Sequence, residues 1–210
     1  MNRYLFGPVM LALVLTALPE SSPGSPVVYE ATLTGPNESP PNASPGIGSA
    51  TVTFDLTAHS MHVQVAFSGL LGTTTASHIH AATASPGTGT AIVATQIPTF
   101  SGFPLGVTSG TYDMTFDTGL TATYNPAFIT ANGGTAASAE SALAASLAAG
   151  TAYLNIHTTV VPGGEIRGFL TPVPEPSSVV LVSVGILGLV ALTAVHTRVA
   201  PGKRGQAPAP

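Results

Sequence analysis

A mainly β domain, either a sandwich or a barrel, with one helix inside it and a long apolar helix after it, is the fold class this 210-residue sequence predicts. Short segments rich in Val, Ile, Thr, Tyr and Phe recur between Gly, Pro, Ser and Asn clusters, as strands between turns do. A single Ala-rich stretch interrupts them, and residues 179–196 carry no charged side chain.

The first two strands are expected at VVYEATL (27–33) and SATVTFDL (49–56), on either side of a Pro, Gly and Asn rich loop. In the next segment Met61, Val63, Val65 and Phe67 alternate with His62, Gln64 and Ala66, the pattern of a strand with one buried face. The segments ASHIHAA, GTAIVATQI, GVTSGTYDMTF, AYLNIHTTV and GEIRGFL follow, each short and bounded by turn residues. Their spacing argues against repeating strand-helix units. Residues 135–150 instead favour a helix, with Thr135 as its cap, Gly150 as its stop, and Leu143 and Leu147 on one face. Its expected role is to cover an edge or an open end of the sheet.

Composition narrows the function. Charged residues make up 7% of the chain and the net charge is -4, which leaves no basic surface for a phosphate backbone, so nucleic acid is not an expected partner. There is no cysteine, hence no disulfide and no thiolate metal site. No phosphate-binding loop, nucleophile elbow or His-Glu-x-x-His motif occurs, and no catalytic residue is assigned. At the N-terminus Arg3 precedes an apolar run from Val9 to Leu18, too short to span a bilayer but of the order and length of a signal peptide, placed at residues 1–22.

Period-two alternation puts His78 and His80 on one side of a strand, Asn155 and His157 on one side of another, and Glu165 and Arg167 on one side of a third. If the first two strands are neighbours, His78, His80 and His157 converge as a candidate metal site, imidazole suiting copper and zinc alike. The competing reading is a structural cluster whose imidazoles bond to backbone carbonyls or to Asn155. Glu165 and Arg167 are expected to be structural, whether they meet each other or find separate partners. His59 and His62 face opposite ways, while Asp113 and Asp117 have the even spacing of residues on one face.

The order YEATLTGPNESPP, SHIHAA, NIHT and GEIRG, with Glu38, Pro40 and Pro41 in the first block, resembles the chordin-type CHRD domain, over residues 27–170. That resemblance implies an immunoglobulin-like or superoxide-dismutase-like β-sandwich with one short helix. It further implies an exported, noncatalytic surface or extracellular-matrix domain, adhesive or structural in the bacterial envelope, with no cofactor. The His78-Ile79-His80 unit also resembles the copper-ligand pair of copper-zinc superoxide dismutases. The alternative it implies is a copper- or zinc-binding domain with dismutase-like oxidoreductase activity, although the disulfide and an evident zinc loop of those enzymes are missing.

Residues 171–178 form a Pro-rich spacer, 179–196 have the length and apolarity of a transmembrane helix, and 197–210 form a basic tail with Arg198, Lys203 and Arg204. The positive-inside rule puts that tail in the cytoplasm and the domain outside. Pro174, Glu175 and Pro176, followed by the apolar run and a basic residue, resemble a PEP-CTERM sorting signal. This implies an exosortase-type processing enzyme as partner, anchoring in the cytoplasmic membrane before processing, and delivery to the cell surface or an extracellular polymer matrix.

Overall fold

Strict alternation of apolar and polar side chains sets the strands. In β1 (Val27–Thr34), β2 (Ile47–Asp55) and β3 (Ser60–Ser68) every second residue is buried, and the antiparallel register stacks Tyr29, Val52 and Val63 in one row on the inner face. A tight turn joins β2 to β3: the Asp55 carboxylate accepts the backbone N–H groups of Thr57 and Ala58 at 2.8 and 2.9 Å. The computed structural model describes residues 25–174. Its remaining strands are β4 (Thr74–His80), β5 (Gly110–Asp117), β6 (Tyr153–Thr158), β7 (Ile166–Phe169) and β8 (Thr171–Pro172).

All eight belong to one antiparallel sheet in the order β4-β6-β7-β1-β2-β3-β5, with β8 also paired to β1. This corrects the expected immunoglobulin-like or superoxide-dismutase-like sandwich. The Thr34 to Arg167 pairing joins the β4-β6-β7 group to the β1-β2-β3-β5 group, so the chain makes a single curled half-barrel instead of two facing sheets. One-face alternation is common to both arrangements and does not distinguish them.

Two helices, not one, are present among the described residues. The short α1 (Pro126–Ala131) starts where the Asn125 side chain accepts the Ala127 N–H at 3.0 Å with Pro126 in the first turn, the arrangement that suits a residue without an N–H. Helix α2 (Ala136–Ala148) fulfils the expectation, including the Thr135 cap, which accepts the Ser138 N–H. Phe128 of α1 and Ala139, Leu143 and Leu147 of α2 join the inner face of the sheet in one apolar core. Residues 89–97 do not form the expected strand. They run irregularly beside the β4 edge, with Ala81 N–H donating to Ile92 O and Ala94 N–H to Ile79 O, and so cover a row of backbone groups that would otherwise stand open.

The expected membrane anchoring is corrected as well. No helix among the described residues is long and apolar enough to cross a membrane. The segment 179–196 on which the transmembrane reading rested, the tail 197–210 and the signal segment 1–22 lie outside the described residues.

Candidate metal centre

The part of the sheet formed by β4, β6 and β7 is buried on both faces. Ile79, Leu154, Ile156 and Ile166 enter the core, while His78, His80, Tyr153, Asn155 and Arg167 occupy the opposite face and are no more than 9% exposed. Cross-strand register lines these polar residues up: His78 lies opposite Asn155, Asn155 opposite Arg167, and His80 opposite Tyr153. The loop after β4 and the turn after β6 roof this face, which is why polar side chains at solvent-type positions of the alternation are buried.

Because β4 and β6 are neighbours, the condition set by the sequence is met and the three histidines come together. Their ring centroids are 5.8 Å (His78 to His80), 5.2 Å (His78 to His157) and 6.2 Å (His80 to His157) apart, and one nitrogen from each lies within 4.8 Å of the other two. On each ring the other nitrogen meets a backbone carbonyl: His78 Nε2 meets Pro98 O at 2.6 Å, His80 Nδ1 meets Ala91 O at 2.8 Å, and His157 Nδ1 meets Pro162 O at 2.8 Å. A carbonyl only accepts, so those nitrogens carry the protons and the opposite ones are bare lone pairs. His78 Nδ1, His80 Nε2 and His157 Nε2 are buried with no hydrogen-bond partner.

That is the protonation pattern a metal requires of neutral imidazole, with the outer carbonyls fixing tautomer and ring orientation. Burial lowers the pKa of all three rings. His78 falls to about 4, the Pro98 carbonyl opposing burial and the neighbouring rings His157 and His80 adding to it. Each ring is therefore neutral at pH 7. Three nitrogens at about 2.0–2.1 Å from one ion lie roughly 3.3–3.6 Å from one another, so the rings must draw closer than the 4.8 Å limit seen here when an ion binds. The competing structural reading explains the carbonyl bonds and a contact of His80 with Asn155, but it leaves His78 Nδ1 and His157 Nε2 without a partner.

Glu165 and Arg167 find separate partners. The Glu165 carboxylate, fully buried, accepts the Ser44 and Thr158 hydroxyls at 2.6 Å and the Leu71 and Gly72 N–H groups. Arg167 donates to Asn37 O and to Gly89 O, and lies 3.8 Å from Glu38. Its guanidinium stands 4.7 Å from the centroid of the Tyr153 ring, a cation-π contact. Glu38 is 6% exposed, and burial pushes its pKa up to about 7 against the Arg167 charge and a hydrogen bond from the Ser39 backbone. The family blocks drew attention to Glu38, but alternation gave no sign that it would be buried beside Arg167.

Tyr153 stacks on His80 with ring centroids 4.8 Å apart, while the other histidines and the aspartates stay away from the centre. His59 pairs with Glu140 at 2.9 Å and His62 with Asp113 at 2.7 Å, while Asp117 accepts the Gly119 N–H. Glu140 also accepts the Thr118 hydroxyl. No residue in the helical stretch had been expected to carry a buried polar contact of this kind.

The CHRD domain family model matches residues 29–170, which takes in all three histidines, Glu38, Asn155, Glu165 and Arg167. No curated protein and no solved structure matches the chain. The match stops short of Pro174, Glu175 and Pro176, and nothing supports a sorting signal there. Glu175 and Pro176 lie outside the described residues. The exosortase-type partner inferred from that motif loses its basis, as does anchoring through a helix behind it. More than half of the sequence answers to one family, and the chain belongs to the CHRD domain family.

Proposed function

We propose that this CHRD domain is an extracellular, noncatalytic binding module that holds one copper or zinc ion through His78 Nδ1, His80 Nε2 and His157 Nε2. The observation that carries the reading is the set of three buried lone pairs facing one another, each on a ring whose far nitrogen is tied to a carbonyl. An all-imidazole set suits copper and zinc, and oxygen-preferring ions far less. A structural or adhesive part in the envelope is the broader role in which such a module would serve.

Dismutase-like chemistry has less support. The three-histidine group is the one cluster of metal-ligating residues found among the described residues, and it includes no aspartate with which to build a second, zinc-type site. Elemental analysis of the untagged chain tests the proposal. One copper or zinc per chain is expected, lost in His78→Ala and His157→Ala. A chain that carries neither metal after gentle purification and takes up neither on titration refutes it.

A further inference from the structure

A fourth buried acceptor adjoins the three bare nitrogens. Asn155 sits directly across from His78 and two residues before His157 on the same strand face, which brings its Cβ within about 5 Å of that of His78. Its amide is 2% exposed and Oδ1 has no hydrogen-bond partner. The orientation of the amide follows from its other end. A Cβ at Gly164 would lie 2.6 Å from Glu38 Oε1 and 2.9 Å from Asn155 Nδ2, so the carboxylate and the amide nitrogen crowd the same spot. Nδ2 therefore lies on the Gly164 side of the residue, the amide also meets the His80 ring, and Glu38 Oε1 makes no hydrogen bond to it.

Three ring nitrogens and this amide oxygen are thus buried without hydrogen-bond partners. A metal ion answers the nitrogens. It does not answer the amide oxygen well, because copper and zinc prefer imidazole to a neutral carbonyl-type oxygen. Three protein ligands also leave a four-coordinate ion one open position.

We propose that Asn155 is the outer-sphere partner of a fourth, exchangeable ligand at this centre: Oδ1 accepts a hydrogen bond from a metal-bound water or other small hydroxylic ligand. The inference rests on the metal reading given above. It makes the centre open to small molecules, where three histidines closed by a protein oxygen would be purely structural. Asn155 is a positioning residue in this arrangement.

The test uses the full chain loaded with copper(II). Pulsed electron paramagnetic resonance in D₂O is expected to show strongly coupled exchangeable deuterons, and azide, which displaces water, is expected to bind one per copper. In Asn155→Leu, or the smaller Asn155→Ala should the first not fold, copper stays at one per chain while the water loses its acceptor. Azide affinity then rises about three- to tenfold, the equivalent of one hydrogen bond. Full copper loading without coupled deuterons or azide binding overturns the proposal and makes Asn155 Oδ1 a direct ligand. Unchanged azide affinity in the folded Asn155 variants overturns it too. Failure of the wild-type chain to bind copper at all is a different result, which removes the metal reading itself.

Discussion

Glu165 Oε1 accepts the hydroxyl of Ser44 at 2.6 Å across 121 residues of chain. The same carboxylate takes the Thr158 hydroxyl and the N–H groups of Leu71 and Gly72, so one side chain ties two separate loops to the end of β6. Burial alone would raise its pKa, yet these four donors outweigh burial and lower it. Replacing Glu165 by Gln puts an NH₂ group where an acceptor is needed and leaves donors unpaired in the interior. A loss of about 3 kcal/mol is expected, measured as the shift in urea unfolding. A shift under about 0.5 kcal/mol, the level of an ordinary surface substitution, contradicts the tie.

Gly164 has φ of +127°, a conformation that L side chains avoid, and its missing Cβ leaves room for Glu38 and Asn155. Gly164→Ala is expected to destabilise the domain by about 1–3 kcal/mol, visible in the same unfolding experiment. Gly87, also at positive φ but with nothing within 4 Å of an added Cβ, supplies the comparison. Gly87→Ala carries the backbone strain without the clash and should cost less. Equal costs would show that crowding at Gly164 is irrelevant.

Glu38 makes stability depend on pH. Its folded pKa is raised to about 7, above its unfolded value, so its stabilising contribution is complete below the unfolded pKa and disappears as pH rises through about 7. Chelator-treated wild type should lose stability relative to Glu38→Gln between about pH 5 and pH 8, since Gln does not titrate. Chemical denaturation of both proteins across that range reads the difference. Parallel curves would mean that Glu38 does not change protonation in the fold.

Leu143 and Leu147 are fully buried where α2 meets the sheet. Leu143→Ala removes core volume and is expected to cost about 2–5 kcal/mol, read by thermal or urea unfolding. The exposed Ala137 on the same helix offers a control, and Ala137→Ser should change little. If both variants unfold at the wild-type midpoint, α2 does not help to hold the core.

The strands of the first meander, the long helix and the matched faces of His78 with His80 and of Asn155 with His157 were legible in the sequence because they follow from local periodicity. Convergence of the histidines was not, since it depends on β4 pairing with β6, some 75 residues further along the chain. A curled single sheet and a sandwich require the same alternation, and the pairings that separate them, Thr34 with Arg167 and Glu30 with Thr171, leave no local signal. The loop over residues 81–105 resembled a strand because Ile92, Val93 and Thr95 favour one. In the fold those residues instead bring backbone groups against the β4 edge and the histidine rings. Glu38 was visible only through the family blocks, because burial of a lone carboxylate among prolines has no periodic mark.

The three imidazoles come from two neighbouring strands, whereas the carbonyls of Ala91, Pro98 and Pro162 that orient them come from loops. Framework and tuning are therefore divided between different parts of the chain. If these rings hold the proposed ion, loop replacements retune its preference while the histidines and the whole sheet stay in place, and related domains with identical histidines need not share the same metal.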